Sequence, residues 1–183
     1  ARLGTDNAAG EEYLTDVLAL LREEGHGVGA VAAASADEVL GVNDRAQLAD
    51  VARRLRDRVL LTWMRAGVTV MDPATTWIGV GVELEPYVVV HPNTQLEGHT
   101  RIAAGAGGGP DATLRDVEVG AEARVRRTEA TGAVIGERAD VGPFSYLLPG
   151  TVLAAGSKVG AYVETKNAVL GEGSKVPHLS YIG

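Results

Sequence analysis

The stretch EGSKVPHLSYIG places His178 three residues before Tyr181 and 12 after Lys166. With an ammonium and a phenol in its neighbourhood, the imidazole could take a proton from an amine nucleophile. A base for that step works best near neutrality, where imidazole titrates. From the residues alone the same histidine reads first as a filler among small, apolar and turn residues. Counting cannot put Lys166 and His178 on one face, because part of a phase-breaking segment lies between them.

Other chemistry-bearing residues read more plainly. His26 falls at a helix end, and His91 and His99 fall at repeat turns, as solvated or packing side chains. GAGGGP (105–110) has no strand-then-helix context and no following Lys-Ser or Lys-Thr, so it is a turn rather than a phosphate cradle. Glu11, Glu12 and Asp16 suit the start of a helix through its macrodipole. Asn43-Asp44 reads first as a helix cap and stays open to a further role.

Positioning such groups requires a scaffold, and the composition bounds it. With 183 residues, 45% hydrophobic and 22% charged, the chain can bury a core as one domain or two small ones. Aromatics at 4% beside 24 glycines predict an aliphatic core with many tight turns. A net charge of -7 argues against a broad nucleic-acid surface. The absence of cysteine excludes disulfides and thiolate metal sites and fits a reducing compartment. No run of about 18 apolar residues suggests a membrane span. The opening ARLGTDNAAGEEYL lacks the pattern of a signal peptide, and with no initiator Met the protein is expected to begin upstream.

Two periods divide the chain. Tyr13, Leu14, Val17, Leu18, Leu20 and Leu21 recur at helical spacing up to Gly25. VGAVAA after them reads as a strand of an α/β sheet, and ASADEV as a loop or helix start. A long amphipathic helix follows, capped by Asn43 or Asp44 and stopped at Gly67. Leu48, Val51, Ala52, Leu55, Val59 and Trp63 form its core stripe.

Beyond VTVMDPATT, aliphatic residues recur every six. Ile78, Leu84, Val90, Leu96 and Ile102 form one run; Gly108 interrupts it and Leu114 resumes it. Val119 and Val125 form a short set, and Ile135, Val141, Leu147, Leu153 and Val159 a second long run. GAYVETKNAV then breaks the phase as an insertion, a natural place for a projecting binding loop, before Leu170, Val176 and Ile182. A period of six suits a β-solenoid with three short faces per coil, each coil burying its aliphatics on its neighbours.

GEEYLTD, GVNDRAQLA, AGVTVMDPATTWI, VGPFSYLLPGT, VGAYVETKN and GSKVPHLSYIG occur in an order that resembles one bacterial family. It is the bifunctional N-acetylglucosamine-1-phosphate uridyltransferase and glucosamine-1-phosphate N-acetyltransferase, in an actinobacterial-like form. The resemblance implies a mixed fold: residues 1–43 as the end of a Rossmann-like α/β uridyltransferase domain, 44–76 as a linker helix and connection, and 77–183 as a left-handed parallel β-helix of hexapeptide repeats. It implies a cytoplasmic homotrimer, an acetyltransferase half using acetyl-CoA and glucosamine 1-phosphate, and a uridyltransferase half. The latter joins UTP to N-acetylglucosamine 1-phosphate with Mg²⁺ and releases pyrophosphate, giving UDP-N-acetylglucosamine for peptidoglycan. Neither nucleic acid nor membrane is an implied partner.

By the same resemblance His178 is the general base, Lys166 and Tyr181 bind the sugar phosphate, and Asn43 helps hold Mg²⁺. Leu148 stands where the family has an arginine phosphate ligand, a departure expected to weaken substrate binding by about 1.5–3 kcal/mol. The nucleotide loop and the acetyl-CoA groove find no counterpart here, so the chain is expected to be an internal fragment with neither activity alone. The alternative is a sugar nucleotidyltransferase whose β-helix only trimerises.

Overall fold

The computed structural model describes residues 3–183. It divides into two compact units, Ala1–Gly41 and Val42–Gly183. In the first, a 3₁₀ turn Leu14–Asp16 leads into helix α1 (Val17–Glu23), and a second 3₁₀ turn covers Ala36–Val39. Gly25 closes α1 at φ +81°. The expected strand at VGAVAA does not form, and no strand occurs among the described residues of this unit. Residues 28–33 are exposed. A lone extended segment has no edge to pair with, so its apolar run finds neither a ladder nor a core.

The second unit opens with helix α2 (Arg45–Arg65). Asp44 caps it, its carboxylate accepting from the Gln47 N–H at 2.7 Å, while the Gln47 side chain accepts from the Asn43 N–H at 2.7 Å. Gly67, at φ +93°, lets the chain turn away. The C-terminal half of this helix packs on the start of the solenoid. Leu60 is buried, and Val59, Trp63 and Met64 pack on the same core. Arg56 donates to the Ala74 carbonyl and lies 5.0 Å over the Trp77 ring. The N-terminal part of the stripe is not covered: Leu48 and Leu55 stay exposed. Among the described residues no helix is long and apolar enough to cross a membrane.

The rest is a three-faced parallel β-solenoid. Face A stacks Thr69–Val70, Val89–Val90, Gly107–Gly108, Arg124–Val125, Asp140–Val141, Lys158–Val159 and Lys175–Val176. Face B stacks Trp77–Ile78, Thr94–Glu97, Ala112–Arg115, Thr128–Thr131, Ser145–Leu147, Glu164–Thr165 and Tyr181–Ile182. Face C stacks Glu83–Leu84, Arg101–Ile102, Glu118–Val119, Val134–Ile135, Val152–Leu153 and Val169–Leu170. Every pairing is parallel and joins one coil to the next, so the aliphatics of the six-residue period line a single core.

The apparent slips in phase have simple origins. Ala130 fills the inward place between Val125 and Ile135, pairing with Leu114 and Leu147, so two steps of five replace two of six. Gly108 keeps its place in the face A stack between Val90 and Val125. At the three corners the chain turns through positive φ. One corner carries Asn93, Asp111, Arg127, Phe144, Tyr162 and Leu179, all between +45° and +59°. Parallel stacking forces the same turn on each coil, and non-glycine residues adopt it when their side chains stack outside. Asn93 donates to Asp111 at 2.9 Å, Arg127 pairs with Asp111 at 3.2 Å, and Phe144 stacks on Tyr162 at 5.1 Å.

Candidate active site

Face B positions two of the three candidate groups. Tyr146, Glu164 and Tyr181 stand in register in successive coils and point outward, while Leu147, Thr165 and Ile182 point inward. Thr165 is fully buried and bonds the Thr151 hydroxyl at 2.9 Å. It lies six residues after Val159, so GAYVETKNAV is no projecting insertion but an ordinary corner and strand. The missing residue falls afterwards, between Thr165 and Leu170. An inward threonine hid the phase, because only aliphatics announce it in sequence.

Lys166 follows Thr165 and is exposed on the outer surface. Its backbone N–H donates to the Ile182 carbonyl at 2.9 Å. The Leu148 N–H makes the equivalent bond to Thr165 at 2.9 Å. Leu148 and Lys166 therefore occupy the same place in adjacent coils, and Tyr181 lies on the coil after Lys166. The ring of Tyr181 lies over the last residue: a Cβ on Gly183 would be 2.4 Å from its Oη.

His178 belongs to the corner between faces A and B. Gly160 lies one coil before it, where a Cβ would come within 2.7 Å of the Pro177 carbonyl oxygen and 3.3 Å of the His178 N. Only glycine lets the two coils stack at this point. The Leu179 N–H donates to Ala161 at 3.0 Å and the Ser180 hydroxyl to the His178 carbonyl at 3.2 Å. The imidazole itself is exposed, with no hydrogen bond or ion pair to any described residue. The last two coils thus carry an ammonium, an imidazole and a phenol on their outer surface, chemically able to hold an oxyanion and accept a proton.

Sequence reasoning passed over the aromatic column beside these groups. The Arg127 guanidinium lies 5.8 Å over the Phe144 ring, which stacks on Tyr162 with the planes 18° apart. Their spacing of 17 and 18 residues, one coil each, is the signal that would have linked them.

Asn43 is exposed on the N-terminal side of α2, in a different part of the unit. Asp44 is committed to the cap, and no group of three or more His, Cys, Asp or Glu among the described residues could hold a metal. Mg²⁺ takes near-octahedral oxygen coordination with carboxylate or phosphate ligands. One exposed amide does not supply it, so the described residues do not fit a magnesium site.

The other histidines sit as solvated or packing groups. His26 lies 3.8 Å from Glu24, and His99 lies 3.6 Å from Asp116, which also accepts the His99 backbone N–H. His91 is half-buried over Gly107. A shallow groove of about 490 Å³ runs along face C between Glu83 and Gly136, on another side of the solenoid from Lys166 and Tyr181.

No family model matches the chain. Over 182 residues the chain is 60% identical to a protein named "Bifunctional protein GlmU" from Kineococcus radiotolerans. It is 58% identical over 182 residues to the protein of the same name from Streptomyces avermitilis. Each match covers 100% of this chain, which spans 37% and 38% of those relatives' length. The likeness carried by the ordered motifs therefore runs through the whole chain. Among solved structures, PerB from Caulobacter crescentus, in complex with CoA and GDP-perosamine, matches with a TM-score of 0.50 at 22% identity, covering 91% of this chain and 87% of that one. At that identity the likeness shows the fold alone.

Proposed function

We propose that the solenoid serves acetyl transfer from acetyl-CoA to the amine of glucosamine 1-phosphate, within a longer bifunctional transferase that makes UDP-N-acetylglucosamine. The 60% identity over the full chain to a protein named "Bifunctional protein GlmU" carries this reading. The solved structure of like fold holds CoA and GDP-perosamine, which is compatible with it.

In this reading Lys166 and Tyr181 grip the sugar phosphate from adjacent coils of face B, an ammonium and a phenol each donating to phosphate oxygens. His178 takes the proton as the sugar nitrogen attacks the thioester carbonyl. The C–S bond breaks, the acetyl group passes to nitrogen, and the thiolate leaves with a proton as CoA. The uridylyl step, with UTP and Mg²⁺, belongs to the longer protein. Asn43 is proposed as only one contributor to that site, and no step is routed through it here. A homotrimer working in the cytoplasm, supplying cell-wall synthesis, completes the reading.

Leu148 favours a second reading, a nucleotidyltransferase with a purely structural solenoid, because it takes a phosphate-binding cation away from the column that holds Lys166. Thiol release from acetyl-CoA, with glucosamine 1-phosphate and the full-length protein containing this chain, decides between them. Turnover dependent on the amino sugar supports acetyl transfer, and its absence supports the structural reading.

A further inference from the structure

On face A the outward column runs Val89, Gly107, Arg124, Asp140 through successive coils. Gly107 removes the side chain from one coil, and its neighbour Gly109 is barred from having one. At φ +94°, a Cβ on Gly109 would lie 2.1 Å from the Thr94 Oγ1. The result is a notch of about 350 Å³, floored by glycine backbone and walled by Val89 and Pro110. The His91 imidazole leans into it, its Nε2 only 3.9 Å from where a Gly107 Cβ would stand. On the facing side stand Arg124 and Arg126.

The charge at this notch runs against the chain as a whole, whose net charge is -7. Its lining holds two arginines and a histidine and no carboxylate. Asp140, one coil further on, pairs with Arg126, and Lys158 lies 3.7 Å from the same carboxylate and offsets it. Arg124 has no carboxylate partner among the described residues, so its guanidinium is available. A planar fork of N–H donors beside an imidazole and an uncluttered backbone suits an oxyanion bound by two parallel hydrogen bonds.

We propose that this notch is an oxyanion site, taking a phosphate group through Arg124, with Arg126 and His91 as its flanks. It lies three coils from the one that carries His178 and does not depend on the acetyl-transfer reading.

Isothermal titration of the whole chain with inorganic phosphate at low ionic strength tests it. Arg124→Gln, which removes the cation, and Gly107→Val, which fills the notch but keeps both arginines, are each expected to weaken phosphate binding by about tenfold or more. All titrations are repeated in a Lys166→Gln background, which removes the cation of the candidate acetyl-transfer surface, and the same losses are expected there. A sugar 1-phosphate in place of inorganic phosphate separates the sources: tighter binding assigns the site to phosphomonoesters through the Val89–Pro110 wall, and equal binding assigns it to free phosphate. Absence of phosphate binding in the Lys166→Gln background, or binding there that Arg124→Gln and Gly107→Val preserve, overturns the proposal.

Discussion

The backbone N–H of Lys166 donates to the carbonyl of Ile182, 16 residues later in sequence and 2.9 Å away in space. That one bond seats Lys166 on the coil beside Tyr181. The matching bond from the Leu148 N–H to the Thr165 carbonyl, also 2.9 Å, gives Leu148 the equivalent position one coil back.

Leu148→Arg places a second cation one coil from Lys166, about 4.8 Å along the stack. In the full-length protein it is expected to tighten glucosamine 1-phosphate binding by about 1.5–3 kcal/mol, roughly 10- to 150-fold. Substrate KM and direct binding both read this. An unchanged affinity would remove the phosphate role from that column.

His178→Gln keeps a polar group of similar reach but no base. Acetyl transfer is expected to fall by about 10²- to 10⁴-fold. The side chain is exposed, so the thermal midpoint should hardly move. Wild-type turnover in the variant would take the base assignment from His178.

Gly108 occupies an inward place where neighbouring coils carry Val90 and Val125. A Cβ there meets only Ile102 Cδ1, at 3.8 Å, an ordinary contact. Gly108→Ala is expected to stabilise the chain by about 0.4–1 kcal/mol, mainly by restricting the unfolded chain. The adjacent Gly109→Ala should cost about 1–3 kcal/mol, since its φ of +94° disfavours a side chain. Urea midpoints that moved the same way for both would contradict this pair of environments.

Asp50 on α2 accepts from Arg54 at 2.8 Å and from Arg53 at 2.6 Å. The hydrogen bond from Arg54, then that from Arg53, holds its carboxyl below the usual range. A folded value below the unfolded one means the support is present above the ordinary carboxylate range and is lost as pH falls toward the folded value. Carboxyl-detected NMR should place the Asp50 midpoint below that of an ordinary aspartate, and Arg54→Gln should raise it. A midpoint insensitive to Arg54→Gln would show that the pair is not formed in solution.

The six-residue period determined the solenoid without help from the structure. Each inward aliphatic must repeat once per face, and burial is strong enough to write that requirement into residue type. The cap at Asp44 and the stop at Gly67 were legible for the same reason, since they depend on local backbone chemistry. What depends on which coil lies beside which was not legible. Ala130 and Thr165 hold inward places that their types do not advertise, so a slip and an insertion stood where the fold has continuous faces. The strand expected at VGAVAA had the right composition, but a strand exists only through a partner's hydrogen bonds, and none is offered among the described residues of that unit. The packing of α2 on the first coil, the column joining Leu148 to Lys166, and the bare notch between His91 and Arg124 are likewise set by stacking between residues about one coil apart. Parallel register alone brings such residues together, and no local pattern records it.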